Sequence, residues 1–156
     1  MSASSDLYDT DVSLWSEQQA GLLRRRAAGE LINEAELDWP HVAEEIEALG
    51  KSERSALASH IATIIEHLAK LETSPATDPR AGWQETVLRA RADIDDILDS
   101  SPSLRRTLDD VVARQHKRSL RLAAAVLALH NETPRVPLDG IQYSTAQVLG
   151  PWFPTV

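Results

Sequence analysis

Apolar residues recur along this chain at helical spacing, and no stretch alternates with the two-residue period of a half-buried strand. Val12, Trp15, Gln19, Leu22, Leu23 and Arg26 fall on one side of a first helix. The capping side chains of Asp9, Thr10 and Asp11 stand before it, and Gly29 is a stop signal. Arg24, Arg25 and Arg26 occupy its last turns, where positive charge suits the carbonyl end of the helix dipole. Asp38-Trp39-Pro40 opens a second and longer helix, since proline is tolerated in a first turn. Stepping roughly 100° per residue places Val42, Ile46, Leu49, Leu57, Ile64, Leu68 and Leu71 in one stripe. That stripe crosses Gly50, so one helix of roughly 50 Å is expected, with a kink or a close backbone contact at the glycine.

Thr73-Ser-Pro-Ala-Thr-Asp-Pro breaks the pattern. A third helix follows from Gly82 to about Ser100, with Trp83, Val87, Ile94 and Ile97 inward. Ser101-Pro102-Ser103-Leu104 both ends it and starts a fourth, whose inner face reads Leu104, Leu108, Val111, Gln115, Leu122, Val126 and Leu129. Ser144 and Gln147 have the spacing of a capping box and predict a short last helix through Leu149. The expected fold is therefore all-α: a bundle of four main helices with one long central helix and a short C-terminal helix. Residues 1–6 read as a frayed tail, and 133–156 as an extension folded back on a single 1–156 domain.

Composition narrows the function classes. The 156 residues contain no cysteine, which removes disulfides, thiolate metal sites and cysteine nucleophiles. The net charge of −8 argues against general binding to nucleic acid or anionic membranes. No apolar run approaches the roughly 20 residues of a membrane span, and the first residues lack the pattern of a signal peptide, so a cytoplasmic protein is expected.

Leu7-Tyr8-Asp9-Thr10-Asp11 with Trp15, Glu17-Gln18 and Leu22-Leu23-Arg24 forms the first part of a recognisable pattern. Leu37-Asp38-Trp39, Glu44-Glu45-Ile46-Glu47 and Leu49-Gly50-Lys51-Ser52-Glu53-Arg54 form its core. His67-Leu68-Ala69-Lys70, Trp83, Ser101-Pro102-Ser103-Leu104 and Tyr143 complete it. The chain resembles domain-of-unknown-function family 29, uncharacterised bacterial proteins. That resemblance implies an all-helical fold and no assigned activity. Leu71 stands where relatives often carry tryptophan.

The candidate chemistry is sparse. Glu53, His60 and His67 recur every seven residues within the apolar stripe of the long helix. Ionisable groups on a buried face need partners, and Gln19 and Gln115 occupy similar inner positions on the first and fourth helices. These five residues form a candidate polar site. A seven-residue step separates α-carbons by about 10.5 Å, whereas a single metal is usually reached from positions three or four apart. No metal or cofactor is therefore expected. Asp38-x-x-His41 has the right spacing but sits at a helix start; His41 has i,i+3 and i,i+4 spacing to Glu44 and Glu45, carboxylates that suit the N-terminal end of the helix dipole. His116 and His130 read as solvated margins. Hydrolase and phosphate-loop motifs are missing.

Charge is uneven between helices. From Leu104 to Leu122 six Arg/Lys accompany two Asp, and from Asp38 to Glu72 seven Asp/Glu accompany three Lys/Arg. Helices with complementary charge account for this more simply than an anion site does. The leading expectation is a non-catalytic interaction module, working through a protein partner or a homo-oligomer. The alternative is a small-molecule or metal binder, or an enzyme, using the polar seam.

Overall fold

The computed structural model describes residues 3–155, and every regular element among them is helical. The helices are α1 (Ala3–Thr10), α2 (Val12–Ala27), α3 (Trp39–Thr73), α4 (Arg80–Ser100), α5 (Leu108–Leu129) and α6 (Thr145–Leu149). Among the described residues no helix is long and apolar enough to cross a membrane. Contacts divide the chain into two compact units, Met1–Ser52 and Glu53–Val156, and α3 contributes to both.

In the N-terminal unit α1 corrects the expectation of a frayed tail over residues 1–6. Helix begins at Ala3, and residues 1–2 lie outside the described residues. Ser4 Oγ anchors it by donating to the Glu36 carbonyl at 3.0 Å, a partner distant in sequence that local composition could not reveal. Asp11 separates α1 from α2. Its backbone leaves the helical region and its carboxylate accepts from Leu14 N–H at 3.0 Å, which caps α2. The other end closes on Gly29, which takes a φ of +82° that a side chain would resist. Gly29 N–H and Glu30 N–H bond back to Arg26 O and Arg25 O, so two of the last carbonyls of α2 are satisfied. Trp15 and Gln19 are buried, while Leu22 and Leu23 are half-buried. Val12 and Arg26, expected inward, are exposed.

The C-terminal unit is built around the second part of α3. Leu57, Ile61, Ile64, Ile65 and Leu68 are fully buried there and share a core with Val87, Ile94 and Leu98 of α4. The helix runs through Gly50 without interruption. Its last carbonyls find donors from later segments: Arg80 Nη1 reaches Leu71 O at 2.8 Å, and Arg135 N–H reaches Thr73 O at 2.7 Å.

α5 is rotated from the expected face. Val112, His116, Ser119, Ala123 and Leu127 point inward, whereas Leu122 is 51% exposed and Leu129 78% exposed. Small Ser119 and Ala123 take the inward face, where hydropathy counting favoured the larger leucines. Leu138, Ile141, Tyr143 and Val148 join the same core, and Trp152 and Phe153 pack against it. Arg91 of α4 holds this segment. Its guanidinium donates to Val148 O at 2.9 Å, Gln147 O at 2.9 Å and Trp152 O at 2.8 Å, and stacks over Phe153. The capping box of Ser144 and Gln147 is formed and opens α6.

Candidate functional site

The densest group of partnered polar side chains in the N-terminal unit lies where α1 and α2 meet the start of α3. Asp38 immediately precedes α3 and is buried. Its Oδ2 accepts from Trp15 Nε1 at 3.1 Å and pairs with His41 Nδ1 at 2.7 Å, three residues along the chain. Gln19 completes the anchor. Its Oε1 accepts from Asp38 N–H at 2.9 Å and its Nε2 donates to Glu36 O at 3.0 Å, satisfying the backbone between the 3-10 turn Glu34–Glu36 and the start of α3. Tyr8 stacks on the His41 ring at 3.9 Å, meets Trp15 edge-on at 4.9 Å, and donates its hydroxyl to Glu45 at 2.6 Å.

Protonation follows from these contacts. The hydrogen bond to Asp38 raises the His41 pKa against the opposing effect of partial burial. Nearby Asp9 and Glu44 reinforce it. Burial by itself would push the Asp38 carboxyl up, but the hydrogen bonds from His41 and Trp15 together with the His41 charge hold it below the usual range. The carboxylate of Glu45, accepting the Tyr8 hydroxyl, pushes that phenol up to about 12, so Tyr8 stays protonated.

The pair Asp38⁻–His41⁺ is thus stabilising where both groups are charged. His41 contributes stability that is complete below its unfolded pKa of about 6.5 and is lost as pH rises through its higher folded value. Asp38 contributes stability present above about 3.9 and lost as pH falls through its lower folded value. The N-terminal unit is expected to be most stable near pH 5–6, with an alkaline decline that His41→Gln removes. Hydrogen exchange of α2 amides from pH 4 to 9 would show it; the same alkaline decline in the variant would refute it.

Immediately beyond this network, α3 presents an unpartnered apolar stripe. Trp39 is 48% exposed, Ile46 68% and Leu49 69%, with half-buried Val42 between them. Ile46 and Leu49 were expected inside the bundle, and within the N-terminal unit they face outward. Glu44, Glu45 and Glu47 flank the stripe.

The side chains of the expected polar seam each have neighbours of their own. Gln19 spends both ends of its amide on the N-terminal anchor. Glu53 accepts a long bond from Ser101 Oγ at 3.5 Å. His60 Nδ1 stands 3.8 Å from the exposed Asp93 carboxylate. His67 is neutral: burial lowers its pKa, Nδ1–H donates to Thr63 O at 2.8 Å, and Nε2 faces Lys70 Nζ at 3.4 Å. Lys70, itself buried, also approaches Glu66 at 3.4 Å and lies over the Trp83 ring. Gln115 lines a separate groove between α3 and α5 with Glu66, Arg118 and Ser119. Among the described residues no group of three or more His, Asp or Glu is placed to hold a metal ion.

Sequence reasoning missed Tyr8, the anchoring role of Asp38, and His116. The Asp38-x-x-His41 spacing carried the signal for the first pair, because positions three apart face one another on a helix. His116, expected at a solvated margin, is buried and accepts Tyr143 N–H on Nε2 at 3.0 Å. Nothing local announces that contact, since Tyr143 lies 27 residues further on.

The chain from residue 7 to residue 153 matches the family model described as Domain of unknown function DUF29. It belongs to that family. The match takes in both compact units, so the Tyr8–Asp38–His41 network and the Arg91 and Tyr143 contacts all fall within the DUF29 domain. No curated protein and no solved structure matches the chain.

Proposed function

We propose that this DUF29 chain is a non-catalytic, self-assembling helical module. The observation that carries the reading is the exposed stripe Trp39–Val42–Ile46–Leu49 at helical spacing. Such a stripe exposes on the order of 400 Å² of apolar surface, within the range of a monomer's largest patch, which is often functional. The hydrogen-bonded network of Tyr8, Trp15, Gln19, Asp38 and His41 serves as its mount, fixing α1 and α2 on the start of α3 while leaving the stripe outward.

The occupant is a second copy of the chain. Exposed Leu122 and Leu129 of α5, with Arg114 and Arg118 on the same helix, form a basic counterpart to the stripe flanked by Glu44, Glu45 and Glu47. A two-fold pair in which each α3 stripe meets the other copy's α5 uses both surfaces twice. It thereby approaches the roughly 800 Å² per partner of a standard interface, which one stripe alone does not reach.

Sedimentation velocity of the purified chain should show a dimer, and Ile46→Asp should convert it to a folded monomer. Glu44→Lys/Glu47→Lys and Arg114→Glu/Arg118→Glu should each weaken the dimer by about tenfold or more, and a mixture of the two should restore it. A monomeric wild-type chain at high concentration would overturn the reading.

A further inference from the structure

We infer that the cavity between α5 and the 138–142 segment binds a small organic carboxylate carrying a short apolar tail. The cavity measures about 390 Å³, inside the size range of small-molecule sites. Its walls divide by chemistry. Leu120, Leu138 and Ile141 are buried core residues that, with Ala124, offer an apolar surface. Lys117 and Arg121 stand at its exposed edge, one helical turn apart on α5.

Like charges at that spacing repel. Among the described residues neither cation has a carboxylate within 4.0 Å, although Asp139 also lines the cavity. An anion between the two cations removes the repulsion and receives charge-assisted hydrogen bonds from both. His116 adds no competing charge: burial lowers its pKa, and its Nε2 accepts Tyr143 N–H, which puts the ring proton on Nδ1. Asp139 and the apolar walls disfavour a phosphate dianion or a nucleic-acid backbone, which would leave the walls unfilled. A monocarboxylate with an unbranched alkyl tail satisfies both halves. This inference does not rest on the self-assembly reading.

Octanoate is a suitable probe, titrated into the full chain carrying Ile46→Asp, so that changes in assembly do not mix with binding. Heteronuclear NMR should show saturable shifts confined to residues around 116–124 and 138–142. Octan-1-ol and octylamine should bind more weakly by about tenfold or more, because each lacks the charge the cations recognise. Lys117→Gln/Arg121→Gln, two exposed positions, should weaken octanoate by about tenfold while leaving octan-1-ol unchanged. Ala124→Leu should abolish binding of both without unfolding the chain, as melting would verify. Equal binding of octanoate and octylamine, an unchanged affinity in the double variant, or no saturation up to about 10 mM would each overturn the inference.

Discussion

Replacing Arg91 by methionine is expected to destabilise the C-terminal unit by about 3–4 kcal/mol. Methionine preserves most of the apolar stem, so the loss isolates the guanidinium. That group is buried and bonds three carbonyls of the last segment, at Gln147, Val148 and Trp152. A typical hydrogen bond to a charged group contributes about 1.5–3 kcal/mol, and truncation strands the buried Val148 carbonyl. The contributions do not add fully, because one nitrogen, Nη2, serves two of the carbonyls. Nη1 is buried without a partner and offsets part of the gain, so the net effect sits below the simple total. Lysine should rescue only in part, since a point ammonium cannot span three acceptors. Urea denaturation would give the loss, and limited proteolysis should cut the variant first beyond residue 135. A shift under about 1 kcal/mol would show that the apolar contacts of Trp152 and Phe153 hold the segment unaided.

Trp15→Ala should cost about 3–5 kcal/mol in the N-terminal unit, the range for removing a buried aromatic. The indole is almost wholly buried, packs edge-on against Tyr8, and neutralises part of the Asp38 burial through its N–H. Trp15→Phe separates the two effects. It keeps most of the packing and loses the bond to Asp38, for about 1–2 kcal/mol. Hydrogen exchange over α2 and the first turns of α3 reads both values locally, without requiring the whole chain to unfold in one step. If Phe were as damaging as Ala, the hydrogen bond rather than the packing would be the main prop of the unit.

The helices were legible where a chemical signal acting within a few residues marks an end. Asp11 caps α2, Gly29 takes a positive φ after it, and Ser144 with Gln147 opens α6. Facing was harder. Ile46 and Leu49 continue the same apolar stripe as Leu57, Ile64 and Leu68, yet only the last three are buried. Periodicity marks a face that can be buried, and only the presence of a partner helix decides whether it is. In α5 the small side chains Ser119 and Ala123 won the inward face over Leu122 and Leu129. Shape decided there, and shape is invisible to a hydropathy count.

The polar site showed the same division. Asp38 and His41 are three apart, so their bond could be read from spacing. Gln19 with Asp38, Tyr8 with Glu45, and His116 with Tyr143 join residues 19, 37 and 27 positions apart. Such pairings exist only once the helices have met. Glu53, His60 and His67 share a face by arithmetic, but each is answered by a different neighbour. Two turns of helix between them give room for separate answers.

The buried face of α3 also sets a timetable for the nascent chain. Leu57 to Leu71 leave the ribosome early, whereas Tyr143, Val148 and the carbonyls that Arg91 grips arrive about 80 residues later. At bacterial or eukaryotic translation rates that interval lasts roughly 4–16 s. The N-terminal network of Trp15, Asp38 and His41 has all its members by residue 45 and can close long before. Throughout the wait, the apolar residues of α3 lack their last cover, the kind of transiently exposed surface that makes an unfinished chain prone to aggregate.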